Sequence, residues 1–194
     1  MTVYVGDFAD IPPFRYGLIM ADPPWQFENW SYKGEHKNAA AKYDCMDIES
    51  IKRLNVGHIA KPDCVLWIWT TNPMLREGIA AMEAWGFQFK TAGHWVKKSS
   101  AGKLAFGTGY ILRSAGEPFL IGTLGSPNTA RNVRSVIEGP RREHSRKPEE
   151  AYAAAECLVP SVERIELFSR QPRVGWDTWG NEARKFSGEI EDPK

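Results

Sequence analysis

The chain has 194 residues, 42% of them hydrophobic and 25% charged, and a formal net charge of +1; this is ordinary for a soluble globular protein and sufficient for one domain, 1–194, with a substantial core. No apolar stretch reaches the roughly 18 residues of a membrane span, and no charged-then-apolar leader follows Met1, so we expect neither insertion nor secretion. Cys45, Cys64 and Cys157 are odd in number and lack paired spacing, which argues against a disulfide framework and a structural zinc.

In chain order, Val3 to Val5 and Tyr16 to Ala21 read as strands. Ile48, Ile51 and Leu54 fall at helical spacing behind a candidate N-cap, Asp47. The β-branched and aromatic run Cys64 to Thr70 predicts a buried strand. Thr71, Asn72 and Pro73 then open a helix that runs to Trp85 and stops at Gly86. Gln88 to Val96, Pro118 to Thr123 and Val133 to Glu138 predict three further strands. Pro148 and Glu149 open a helix through Cys157, and Glu163 to Phe168 closes the pattern. Strands alternating with helices predict an α/β fold with a mostly parallel central sheet and helices on both faces. Two polar stretches, 26–43 and 97–113, are too long for idle connectors, and we expect them to be mobile loops that shape a substrate site. The eight tryptophans are numerous enough that some are expected to serve as stacking surfaces.

The most informative segment is Leu18-Ile19-Met20-Ala21-Asp22-Pro23-Pro24-Trp25. A short apolar run ends in a carboxylate, two prolines and an indole. Ligands of open α/β sheets gather at the carboxyl ends of strands. Each proline fixes its own φ and biases the preceding residue to extended geometry, so Asp22 and the neighbouring carbonyls are held rigidly.

Met20-Ala21-Asp22-Pro23-Pro24-Trp25, Trp67-Ile68-Trp69-Thr70, Trp85-Gly86-Phe87, His94-Trp95-Val96-Lys97, Ser145-Arg146-Lys147-Pro148, Arg164 to Arg170 and Gly180-Asn181-Glu182 occur in an order that resembles one family. These are the adenine-N6 methyltransferases related to the catalytic subunit of the eukaryotic mRNA 6-methyladenine writer, which have bacterial and phage members. The likeness covers roughly residues 4 to 182. It implies a Rossmann-like class I methyltransferase fold, S-adenosyl-L-methionine as cofactor, and methylation of the exocyclic amine of adenine in nucleic acid. DNA is favoured over RNA, in the cytoplasm of a bacterial or phage-infected cell, by a homodimer or a heterodimer with a paralogue.

The chemistry of the tetrapeptide fits that reading independently. An aryl amine is a poor nucleophile because its lone pair is delocalised into the ring. If the Asp22 carboxylate and the Pro23 carbonyl accept its two N–H bonds, the nitrogen is drawn toward tetrahedral geometry, and these bonds strengthen as charge develops. Pro24 stiffens the turn, and Trp25 is expected to stack on the base. In a duplex the base must first be flipped out.

The resemblance further implies cofactor contacts from Asp7, Phe8, Asp22 and Lys147, with Lys147 pairing the methionine carboxylate. Glu166, Arg170, Gln171, Asn181 and Glu182 fall at its ribose-side positions. The loop Gln171-Pro172-Arg173 is shorter than the writer's and lacks its histidine and asparagine; Glu182 replaces a glutamine. Tyr43 resembles a gate-loop tyrosine. Arg142 and Arg146 belong to a basic run with Arg131, Arg134, Arg141 and Lys147 suited to nucleic-acid contact. Lys33, Lys37 and Lys42, among Trp30, Tyr32 and Tyr43, suit the same partner. A catalytically silent nucleic-acid-binding paralogue is the alternative, against which the intact Asp22 argues. A glutamine methyltransferase would have Asn there.

Overall fold

The computed structural model describes residues 8, 10–26, 45–109, 111–142 and 146–183. Its centre is a seven-stranded sheet: β1 (Tyr16–Ala21), β2 (Ala60–Trp69), β3 (Gln88–Lys98), β4 (Gly116–Leu124), β5 (Val136–Pro140), β6 (Arg164–Leu167) and β7 (Asp177–Trp179), in the order β5-β3-β4-β2-β1-β6-β7. The pairs β1/β2, β1/β6, β3/β5 and β6/β7 are parallel. Only β4 runs against its neighbours β2 and β3, so the sheet is mostly parallel, as expected, with one reversed strand. The reversal follows from connectivity: β3 returns directly into β4 through 99–115 without a crossover helix. That loop therefore leaves and re-enters the sheet at the end where β1 and β2 finish.

Helices α1 (Ile48–Lys52), α2 (Val56–Ile59), α3 (Leu75–Ala84) and α4 (Glu149–Leu158) cover both faces. Strand periodicity decides which residues meet which helices. Ile19 and Ala21 point into a core with Ile51 of α1 and Ala81 and Met82 of α3. Leu18 and Met20 point the other way, into a core with Trp67, Trp69, Trp95 and Phe119, closed by Ala151, Tyr152 and Ala155 of α4. The second core is built on aromatic contact. Trp67 stacks on Phe119 at 4.1 Å between centroids, and Trp69 meets Trp95 and Phe119 edge-on.

The local signals mostly hold. The Asp47 carboxylate accepts the Ser50 N–H at 2.8 Å, which caps α1. At the end of α3, Gly86 takes φ +88. There Phe87 N–H bonds Met82 O and Gly86 N–H bonds Glu83 O, the left-handed stop that glycine permits. A 3-10 turn, Asn72–Met74, precedes α3 where one continuous helix was expected, with proline at its start. The β5 strand begins three residues later than predicted, and β2 begins four residues earlier. The expected 97–113 loop gives up Lys97 and Lys98 to β3. β7 was not anticipated: three residues on a polar background carry no alternation. The predicted Val3–Val5 strand and all of the 26–43 loop beyond Gln26 lie outside the described residues.

Six of the seven described tryptophans serve as core rather than as stacking platforms. Trp25, Trp67, Trp69, Trp85, Trp95 and Trp176 are all buried. Replacing Trp67 by alanine is expected to cost about 3–5 kcal/mol of stability through transfer and cavity terms. Urea unfolding monitored by far-ultraviolet circular dichroism checks this; a loss below about 1 kcal/mol would contradict the placement of the ring at the centre of the core.

Candidate active site at the carboxyl end of the sheet

Continuing the alternation of each strand places four ionisable side chains on the α4 face. Leu18 and Met20 are followed two residues on by Asp22, Trp95 by Lys97, and Phe119 is preceded by Glu117; Glu166 lies between Ile165 and Leu167, which face the other core. Lys147 enters from the segment just before α4. The Lys147 Nζ lies 2.9 Å from Asp22 Oδ2 and 2.6 Å from Glu117 Oε1. Lys97 Nζ lies 2.8 Å from Glu117 Oε2. The result is a row of alternating charge, Asp22, Lys147, Glu117, Lys97, across β1 and β4 to β3. Lys147 is 5% exposed, sits 5.2 Å from the Trp69 ring centroid, and Lys97 covers the Trp95 ring at 4.5 Å. Indole faces suit cations.

The electrostatics of the row are asymmetric. Burial opposes the charge on Lys147, yet Asp22 and Glu117 reverse this and hold its ammonium above the ordinary lysine range. Burial likewise penalises the Glu117 carboxylate, but it has two ammoniums, Lys147 and Lys97, and is held down at about 2. Asp22 has the poorer share. Burial pushes its carboxyl up, Lys147 pulls it back, and the Glu117 carboxylate pushes it up again, leaving it raised.

The backbone around Asp22 is fixed as the prolines require. Asp22 N–H bonds Leu167 O at 3.3 Å, tying β1 to β6; Pro23 O accepts the Trp25 N–H at 2.8 Å, and Pro24 O accepts the Met46 N–H at 2.9 Å. A carbonyl has two lone pairs, so Pro23 O keeps one for a further donor. The Trp25 ring is 5% exposed, and its Nε1 donates to Trp69 O at 3.0 Å. It braces the turn, in place of the open stacking face expected for it.

Behind Asp22 a cleft is lined by Arg146, Lys147, Tyr152, Glu166, Phe168, Arg170 and Gln171. Five of the residues predicted from the sequence, Lys147, Glu166, Arg146, Arg170 and Gln171, thus converge beside Asp22. Glu166 plays a different part from the ribose contact expected of it. Its two oxygens accept Tyr152 OH at 2.6 Å and Ser169 Oγ at 2.9 Å, and burial raises its pKa despite both bonds. It fixes the cleft wall. Phe168 takes φ +63, strained for a side-chain-bearing residue. Gly180 must stay bare there, because a Cβ would lie 2.9 Å from Phe168 Cα. Arg170 Nε pairs with Glu182 at 3.3 Å, which joins those two predicted residues, with exposed Asn181 beside them. Phe8 is buried against Trp179, centroids 4.9 Å apart. Arg142 is turned inward to Glu149 and the Lys147 carbonyl, and Glu149 also holds Arg173, so Arg142 is tied to the start of α4 rather than to an outward surface. Asp7 and Tyr43 lie outside the described residues.

Glu117, Lys97, Tyr152 and Ser169 escaped the sequence reading. The available signal was a charge, Glu117, flanked by Gly116 and Pro118 at the head of an otherwise apolar strand.

A mostly parallel α/β sheet covered on both faces, with its charged cleft at the strand ends around a proline-braced carboxylate, defines a Rossmann-like α/β protein of the methyltransferase type. The chain belongs to the MT-A70 family, whose profile matches residues 16–182. It is 32% identical over 194 residues to the Type II methyltransferase M.MunI of Mycoplasma sp, with 90% of this chain and 81% of that protein covered. It is 27% identical over 187 residues to the human N(6)-adenine-specific methyltransferase METTL4, covering 88% of this chain and 38% of the relative. Against the human N(6)-adenosine-methyltransferase catalytic subunit METTL3 it is 28% identical over 174 residues, covering 87% and 28%. The chain therefore spans most of the bacterial relative and well under half of the human ones. No helix among the described residues is long and apolar enough to cross a membrane.

The charge row predicts opposite shifts for two substitutions, readable by carboxyl carbon NMR. The Asp22 carboxyl of the native protein should titrate above the usual value of about 3.9. Glu117→Gln removes a repelling carboxylate and leaves Lys147 to Asp22, so the midpoint should fall. Lys97→Met draws Lys147 toward Glu117, so it should rise. Midpoints that move together, or not at all, would contradict the coupling.

Proposed function

We propose that this chain transfers the methyl group of S-adenosyl-L-methionine to the exocyclic amine of adenine in DNA. The observation that carries the reading is the position of Asp22 on a proline-stiffened strand end, beside a lysine that two carboxylates keep charged. When bound, the cofactor supplies an electrophilic methyl on a sulfonium. The residues present suit such a group: Lys147 can meet a carboxylate, the Asp22 and Glu117 carboxylates favour a nearby cationic centre, and Phe168 offers apolar wall. Arg146, Arg170 and Gln171 add donors along the cleft.

The part of the chain's own groups in the reaction follows from their chemistry. Ionised Asp22 accepts one N–H of the amine, and Pro23 O uses its second lone pair for the other. Both acceptors bind the amine more strongly as positive charge builds on nitrogen, so they lower the barrier rather than deepen the ground state. Trp25, pinned to Trp69, keeps the two acceptors at a fixed separation. The raised pKa of Asp22 sets the acid side of the profile: its acceptor form is lost as pH falls through a value above the ordinary carboxylate range.

DNA is favoured by the high coverage of the bacterial relative, which is named as a Type II methyltransferase. The arginine-rich run from Arg131 to Arg146, of which Arg131, Arg134 and Arg141 are exposed, supports a polyanionic substrate.

The test is tritium transfer from labelled S-adenosyl-L-methionine to unmethylated duplex DNA, single-stranded DNA and RNA of matched sequence, followed by nucleoside digestion. Label in 6-methyladenine of DNA, reduced at least 100-fold by Asp22→Ala with the circular dichroism unchanged, is the expected result. Label in RNA alone would move the substrate to RNA. Cofactor binding without transfer to any polymer would favour the silent paralogue.

A further inference from the structure

Arg170 and Gln171 line the cleft, but Arg173, two residues on, is not among its lining residues. The Arg173 guanidinium turns instead onto the first turn of α4. There its Nη1 pairs with the Glu149 carboxylate, and its central carbon lies 3.6 Å from the centroid of the Tyr152 ring. Glu149 and Tyr152 are three residues apart on one helix face, so a single planar guanidinium can meet both.

The placement is poor for stability taken alone. The Arg173 side chain is 17% exposed, and its Nε and Nη2 are buried without a hydrogen-bond partner among the described residues. Buried donors left unpaired cost free energy, and each calls for an explanation. What the contact secures is the loop. Burial opposes the charge on Glu149, yet hydrogen bonds from Arg173 and Arg142 hold its carboxyl below the ordinary carboxylate range, so the pair is charged at neutral pH. Three residues beyond Arg173, Trp176 Nε1 donates to Glu156 Oε1 on the same helix at 2.7 Å, and the Trp176 ring meets Tyr152 edge-on. The other end of the loop is held by Ser169, whose N–H bonds Trp179 O at 3.1 Å and whose Oγ donates to Glu166. Between the anchors Ser169 and Arg173 lie Arg170, Gln171 and Pro172. The fixed φ of Pro172, and the extended geometry it favours at Gln171, carry the position of Arg173 back to the cleft wall.

We propose that Arg173, paired with Glu149, is a positioning residue for cofactor binding: it clips the loop after β6 to α4 and so fixes Arg170 and Gln171 where the cofactor meets them. This rests on the reading of the cleft as the S-adenosyl-L-methionine site. Arg173 acts through the loop and not by touching the cofactor, so its partner Glu149, which is also outside the cleft lining, should matter as much as Arg173 does. Once the cofactor is bound, the groups around Asp22 are unaltered, so turnover at saturation should be spared.

The experiment is a double-mutant cycle on the affinity for S-adenosyl-L-methionine, measured by titration calorimetry, with thermal unfolding as the check on folding and kcat on unmethylated DNA at saturating cofactor. Arg173→Met and Glu149→Ala should each weaken binding about fivefold or more, and the double variant should bind within about twofold of the weaker single one. Arg173→Lys, which keeps the cation, should lose less than Arg173→Met, and kcat should stay within about twofold of the parent throughout. A loss confined to the Arg173 variants would overturn the proposal by making Arg173 itself a cofactor contact. Losses that multiply, unchanged affinities, or a fall in kcat at unchanged affinity would overturn it as well. Glu149 is half-exposed, so Glu149→Ala decides the case even where Arg173→Met does not fold: unchanged affinity in that variant is enough to reject the clip. A parent chain that binds no S-adenosyl-L-methionine would instead overturn the reading of the cleft, and the positioning role with it.

Discussion

Lys147 is a buried cation held between two carboxylates from different strands, and the site is organised around it. An unpaired ammonium at that depth would be prohibitively expensive, and so would Asp22 and Glu117 facing each other without it. Because Lys147 lies two residues before the start of α4, the same contact that neutralises the strand ends also draws the approach to that helix onto the sheet. Its neighbours complete the arrangement: Lys97 secures the outer oxygen of Glu117, and the Trp69 and Trp95 rings each face one of the two cations.

The row is also a way of dividing charge. Glu117, with two ammoniums, is the fixed anion; Asp22, with one shared ammonium and a repelling neighbour, is the carboxylate whose energy most depends on what approaches it. A group that brings N–H donors or positive charge to Asp22 relieves that position. Such a carboxylate is suited to an amine that becomes cationic as it reacts. The strained Phe168 and the Glu166–Tyr152–Ser169 contacts hold the opposite wall, so both sides of the cleft are set before anything enters it.

Most of the frame was legible in the chain. The β1 run, the Asp22-Pro23-Pro24-Trp25 turn, the glycine stop of α3 and the start of α4 all follow from local rules that tertiary contacts did not override. The reversed strand β4 was less visible, since a single apolar run has no direction, and direction came from the lack of a helix between β3 and β4. Glu117 and Lys97 were hidden for a related reason. Glu117 sits between glycine and proline, which reads as a turn, and Lys97 fell in a stretch that looked like loop. Only the register of β3 on β4 and of β4 on β2 brings them to Asp22. Trp25 and the other indoles show the converse: their number suggested surface roles, whereas shape and apolar area placed six of the seven described ones in the core.

The central claim is that Lys147 neutralises Asp22 and Glu117 together, and a thermodynamic cycle on folding stability tests it most directly. Lys147→Met alone should destabilise by about 3–5 kcal/mol, the usual consequence of stranding a buried charge, and adding Asp22→Asn and Glu117→Gln should return a large part of that loss. Strictly additive losses across the three substitutions would show that the groups do not act as a unit and would contradict the account.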